Sequence, residues 1–147
     1  MPDVNINVRQ RVASLAAALV IGAAGSVVLL AEPAAAAVPV CTSYVRTSIY
    51  RPSSSTGDYR CWMQRGHRTD GVIILQEAIR VCYGAWLRSI GFPQEVKSDG
   101  DFGPITEDAL RRIQKLEGAA VDGVFGIDTS YRMLWFNGRD ANCRHVY

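Results

Sequence analysis

The residues best suited to chemistry in this 147-residue chain are four cysteines, two histidines and a cluster of acids beside glycines. His67 and His145 lie far apart in sequence. A zinc hydrolase needs about three protein ligands plus an open water position, so the pair predicts no metal centre. Asp99, Asp101 and Gly103 alternate like the start of a calcium loop. Pro104, however, stands where that loop needs glycine, and no bidentate Glu follows at the right step. Cys41, Cys61, Cys82 and Cys143 are even in number, which in a short exported chain reads as two disulfides. Three connectivities are open. The preferred expectation joins Cys61 to Cys82 and Cys41 to Cys143, the first tying the approach of a helix to its end, the second tying the domain's termini.

Export itself is read from the start of the chain. Arg9 and Arg11 precede an apolar run over 12–30, followed by Ala31-Glu32-Pro33 and four alanines ending at Ala37. A basic start, an apolar stretch and small residues at a cleavage site form the secretory pattern. Residues 1–37 are therefore expected to be a signal peptide. An uncleaved anchor is the competing reading, since the run nearly spans a bilayer, and Pro33 with the A-x-A ending weighs against it. The remainder, roughly 110 residues, suffices for one modest domain. The net charge of +2 is too weak a bias for nucleic acid. Lys97 and Lys115 are the only lysines, so the cationic surface is mostly arginine, with planar donors suited to carboxylates.

The elements follow from pattern. Residues 41–50 are rich in Thr, Ser, Tyr, Val and Ile, which suits an extended arm. A loop over 52–57 and a return strand over 59–63 would complete a hairpin, and 38–65 is expected to be this arm. Asp70 is placed to cap a first helix whose apolar stripe runs Val72, Leu75, Ile79, Cys82, Trp86. Gly84 is expected to end or bend it, and Gly91-Phe92-Pro93 closes the region. An internal repeat then appears. Asp99-Gly100-Asp101-Phe102-Gly103-Pro104-Ile105-Thr106 recurs as Asp122-Gly123-Val124-Phe125-Gly126-Ile127-Asp128-Thr129 at an offset of 23, with five identities. Each copy reads as a tight Asp-Gly turn that launches a helix, with the Phe as a buried plug. Pro104 suits the first helical position. The second helix should run to Glu117, with Ala109, Leu110, Ile113 and Leu116 inward and Gly118 as its stop. A short third helix is expected over 127–136, with Tyr131, Leu134 and Trp135 available for packing.

Val72-x-x-Leu75-Gln76, the first launch continuing into Ala109-Leu110, Gln114, and the second launch together resemble the peptidoglycan-binding domain, type one, over about 66–135. The resemblance implies a mainly α, small three-helix fold over 66–147, here with an extended, disulfide-tied N-terminal arm. It implies binding of cell-wall peptidoglycan through a shallow groove, with no cofactor and no metal. Three departures stand out: the segment 84–98 is longer than the usual link, Thr69 stands where a second Gly often sits, and Ile127 replaces the second Pro.

Leu75, Gln76, Asp99, Gly100, Phe102, Gly103, Thr106, Gln114, Asp122, Gly123, Phe125, Gly126 and Thr129 are read as fold-forming, the glutamines satisfying buried backbone groups. For ligand contact the candidates are Arg80, Tyr83, Arg111, Arg112, Tyr131 and Trp135, because stem peptides end in carboxylates and sugars stack on aromatic faces. The expectation is a secreted or wall-associated monomer that binds the stem peptide or glycan and has no catalytic residues. Two alternatives differ in class. One is an extracellular interaction or inhibitor protein that reuses the fold. The other is a wall-modifying enzyme using Cys143, since a Cys-Arg step occurs in L,D-transpeptidase sites. Those sites need His and Gly just upstream, where this chain has Gly138, Arg139, Asp140 and Ala141. Thiol counting on the non-reduced exported protein should find no free thiol; two reactive thiols would refute the disulfide reading and revive Cys143 as a nucleophile.

Overall fold

A computed structural model describes residues 37–138 and 142–146, all within one compact unit spanning 36–147. The expected signal peptide falls almost wholly outside the described residues. The N-terminal arm forms a hairpin shorter than expected. Strand β1 (Ser43–Arg46) pairs antiparallel with β2 (Tyr50–Ser53), Arg46 opposite Tyr50. The chain reverses already at Thr47, whose amide donates to Ile49 O at 3.1 Å, so 50–53 rather than 59–63 is the return strand. β2 packs against the first helix, and the arm is continuous with the helical core.

The segment expected to close the hairpin braces the two launches instead. Met63 exchanges both backbone hydrogen bonds with Phe125, each 2.8 Å. A few residues on, Gly66 N donates to Phe102 O at 3.0 Å and Phe102 N to His67 O at 2.9 Å. One short stretch, with a turn at Arg65–Gly66, thereby pins both phenylalanine plugs, and Met63, Phe102 and Phe125 are fully buried.

The first helix is a bent rod in three pieces: α1 (Asp70–Ala78), a π turn (Ile79–Tyr83) and α2 (Gly84–Ser89). Thr69, not Asp70, is its cap. The Thr69 hydroxyl accepts from Val72 N at 3.3 Å and donates to Cys41 O at 2.7 Å, and an ionised carboxylate could not make the second bond. Gly71 allows that approach, because a Cβ there would lie 2.6 Å from Cys41 O. The π turn takes up extra chain, as such bulges do, and the buried stripe moves with it. Val72, Leu75 and Ile79 are buried as expected, but the stripe continues through Tyr83 and Leu87, leaving Cys82 and Trp86 half-buried. Gly84 does not end the rod: its backbone is regular α, φ −58° and ψ −39°, and it opens α2.

Helix α3 (Pro104–Glu117) has Pro104 in its first turn and ends at Gly118 with φ 68°. Thr106, Ala109, Leu110, Ile113 and Gln114 face inward, whereas Leu116, expected inside, is 49% exposed. The next inward position is Glu117, which accepts from the buried Tyr83 hydroxyl at 2.8 Å. Helix α4 (Ile127–Arg132) is shorter than expected. Met133 turns extended, and β3 (Trp135–Phe136) pairs antiparallel with β4 (Cys143–Arg144). Two contacts compensate the early stop. Trp135 Nε1 donates to Ser130 O at 2.8 Å, and the Leu134 amide donates to the Tyr83 hydroxyl. The fold is thus helical at its core, with two small two-stranded sheets among the described residues.

The disulfides correct the preferred pairing. Cys41 joins Cys61 and Cys82 joins Cys143. The first follows from the backbone: Cys41 N donates to Trp62 O and Trp62 N to Pro39 O, each at 3.0 Å, which lays the two cysteines side by side. The second ties the π turn to β4. Closing loops of 20 and 61 residues, each should contribute about 2–4 kcal/mol.

Both launches are held by a glutamine. Gln76 Nε2 donates to Asp99 Oδ1 and Asp101 O at 2.9 Å, with Thr106 Oγ1 at 3.1 Å, while its Oε1 accepts from Gly100 N at 2.8 Å. Gln114 repeats this with Asp122 Oδ1 and Val124 O at 2.9 Å, Thr129 Oγ1 at 3.1 Å and Gly123 N at 2.9 Å. An amide has two protons, so the longer threonine contact is a shared third. The Asp101 amide and the Gln76 side chain hold the Asp99 carboxyl below its ordinary range. Its contribution to stability is present above the ordinary aspartate pKa and is lost as pH falls through the lowered one.

Replacing either glutamine by Leu strands a buried Gly amide and breaks the clamp, and should cost about 2–4 kcal/mol in denaturant unfolding. Gly100 and Gly123 have φ of 77° and 73°. A Cβ would lie 3.1 Å from Ile73 Cγ1 at Gly100 and 2.8 Å from Arg111 Nε at Gly123. Gly100→Val and Gly123→Val should each lower the melting temperature, by roughly 1–3 kcal/mol of stability; unchanged melting in both would remove the turn assignment.

Candidate binding groove and the placement of site residues

Arg80, Gly84 and Arg88 recur at steps of four along the bent rod, and the glycine between the two arginines leaves a gap. The chain leaving α2 folds back over that gap. Ile90, Gly91 and Phe92 donate to Trp86 O, Arg88 O and Leu87 O at 3.1, 3.0 and 2.9 Å, closing the helix end. The extended residues 92–96 then run alongside it. Together they enclose a groove of about 320 Å³, with Ile79, Leu87, Phe92 and Val96 as its apolar lining, Arg80 and Arg88 as its cationic donors, and Gln94 and Glu95 on the opposite wall. This is the segment whose length departs from the family pattern, and it forms one wall.

Arg80 is held in place. Its guanidinium pairs with Glu77 at 2.5 Å, and Ser98 donates to the other Glu77 oxygen at 2.7 Å. The Arg80 hydrogen bond, ahead of that from Ser98, holds the Glu77 carboxyl below its ordinary range, and Glu77 in turn raises Arg80. Arg112 lies 5.3 Å from the Phe92 ring centroid and pairs with Asp108 at 3.4 Å, stabilising the rim residue from behind.

The remaining candidates lie elsewhere. Arg111 is a brace: it pairs with Glu107 at 3.0 Å, donates to Val121 O at 3.2 Å and covers Gly123. Tyr83 and Trp135, proposed as stacking faces, are core residues with both rings buried. Burial pushes the Tyr83 phenol up, and the Trp135 ring meets Phe125 edge-on at 5.9 Å. Neither ring is available to a sugar. Tyr131 is 51% exposed, but it flanks Arg51.

Arg51 was not singled out by sequence reasoning. It is 7% exposed, donates to Ser130 Oγ at 2.8 Å, and lies 4.3 Å from the Tyr59 ring centroid and 5.3 Å from that of Tyr131. Burial lowers its pKa and the two tyrosines oppose that. It ties β2 to α4. Nothing in the run Tyr50-Arg51-Pro52-Ser53 signals a buried cation. Arg88 could have been found, since its spacing from Arg80 across Gly84 places both on one face.

Among the described residues no group of three His, Cys, Asp or Glu is placed to hold a metal ion. His67 Nδ1 accepts from Gln64 N at 3.3 Å and its ring meets Trp62. Cys143 is bonded to Cys82 and offers no thiolate.

The segment 84–133, from the floor of the groove to the end of α4, matches the family model described as "Putative peptidoglycan binding domain". The match opens at Gly84, so Gln76 and the first half of the rod precede it. Among solved structures the chain is similar to the SleB N-terminal domain, at 36% identity over 48% of this chain and 84% of that one, with a TM-score of 0.37. No curated protein matches. Through residues 84–133 the chain belongs to the peptidoglycan-binding domain family.

Proposed function

We propose that this chain is exported and binds bacterial peptidoglycan without cutting it, through the groove between the bent rod and residues 92–96. The observation that carries the reading is the pairing of Arg80 and Arg88 with an apolar lining in one groove inside and beside the family segment. Wall stem peptides present carboxylates and small apolar side chains on one strand. Guanidinium forks suit the first, and the Leu87 and Phe92 surfaces suit the second. Its disulfides fit an oxidising location, secreted or at the wall. The non-catalytic reading is favoured by Cys143, the residue with a catalytic alternative, being held in a disulfide with Cys82.

The protein should co-sediment with insoluble peptidoglycan and release no soluble sugar or peptide from it. Arg80→Ala with Arg88→Ala should weaken co-sedimentation by roughly 3–30-fold while leaving melting nearly unchanged, because both side chains are on the surface. Added salt should weaken binding further. Protein left wholly in solution beside intact wall would end the binding reading, and released fragments would end the non-catalytic one.

A further inference from the structure

A second cleft lies outside the family segment, where the two hairpins meet. Tyr50 of β2 stacks on Phe136 of β3, ring centroids 5.2 Å apart and planes within 3°. That stack brings the β1–β2 turn against the β3–β4 hairpin. The space left between them is about 410 Å³, lined by Arg46, Thr47, Ser48, Tyr50, Gly138 and Arg144, with Asn137 beside them. Each hairpin contributes one arginine. Arg46 sits with its guanidinium carbon 5.1 Å from the Tyr50 ring centroid. Arg144 lies opposite Trp135 on β4, one position from the disulfide that anchors the strand to the π turn. Gly138 keeps the opening: a Cβ there would run into Tyr50 Cε2, so a side chain would displace the ring that forms the wall.

The chemistry of this lining is one-sided. Two arginines and three hydroxyl residues, Thr47, Ser48 and Tyr50, line the cleft, and no carboxylate does among the described residues. The seven ion pairs found among those residues use other arginines and leave Arg46 and Arg144 out. Seven other arginines have an acid beside them, so two with none among the described residues, converging on hydroxyls and an aromatic face, stand apart. Planar, forked donors of this kind match an oxyanion, and carboxylate above all.

We propose that the cleft between the hairpins is a binding site for the carboxylate of a small organic anion, such as a peptide C-terminus, held by Arg46 and Arg144 with Thr47 and Ser48 as secondary donors. The site is separate from the groove and does not rest on wall binding. With both charges open to water, the dissociation constant should be on the order of 1 mM.

The test is an amide-shift titration by NMR on residues 36–147, the unit that holds the core and both disulfides. The probes are N-acetyl-alanyl-alanine, the same dipeptide with its C-terminus amidated, and inorganic phosphate. The free-acid dipeptide should give saturable shifts at Thr47, Ser48, Gly138 and Arg144, and the amidated one should not. Phosphate acting on the same amides more weakly supports carboxylate preference; phosphate acting more strongly overturns it. The shifts should disappear in Arg46→Gln with Arg144→Gln, a pair whose melting temperature and spectral dispersion should match the parent. No saturable shift with either anion, equal shifts with the amidated dipeptide, or shifts that survive in the double variant would overturn the site.

Discussion

A single side-chain amide, used twice, sets the geometry of this protein. Each glutamine spends both protons and its carbonyl on a turn that has no regular secondary structure of its own, and does so from inside a helix. The turn's backbone groups are buried and would otherwise be unpaired, which costs more than an ordinary hydrogen bond returns. Because the partner is a helix residue, the bond also sets the distance between that helix and the next one launched. Gln76 spaces the bent rod from α3, and Gln114 spaces α3 from α4. The stretch from Met63 to His67 then has both phenylalanine plugs within backbone reach and pairs with each. The hydrophobic core fills what these bonds define.

Much of this was legible because it depends on local chemistry. Asp-Gly turns, the proline at the start of α3 and the glycine after it have meanings that do not depend on the rest of the chain. What was missed depends on partners far away. Tyr83 and Trp135 were candidates for ligand contact because sugars stack on aromatic faces, with Trp135 read also as available for packing. In the structure each polar tip has a partner within the core, Glu117 for one and Ser130 O for the other, so both rings could be buried. The π turn has no sequence signature, yet it moved the stripe from Cys82 and Trp86 to Tyr83 and Leu87. It also turned Cys82 toward the C-terminal hairpin, away from Cys61. Helix α4 stopped early because Met133 and the residues after it found a strand partner near Cys143, which no local propensity announces.

The candidate groove shows a similar division. Its floor could have been read in the chain as arginines spaced around a glycine, though only Arg80 was singled out. Its wall was visible only as extra length. Residues 92–96 have no repeat and no regular structure, and their position follows from where the rod ends and where Asp99 is caught. A long connection with fixed ends has few ways to lie, and here it lies along the helix it has just left.

The two copies of the clamp differ in one respect that bears on how such a chain can change. Gln114 reaches a turn beginning 8 residues on, whereas Gln76 reaches one 23 residues on, with the same bonds and nearly the same distances. The clamp therefore fixes two endpoints and is indifferent to the path between them. Additional loop length costs only a fraction of a kcal/mol for each doubling, about 0.6. Insertions between the first glutamine and its turn can accumulate without disturbing the helices. The fold can in this way be held constant while the path between clamp and turn varies, as the two copies within this one chain do.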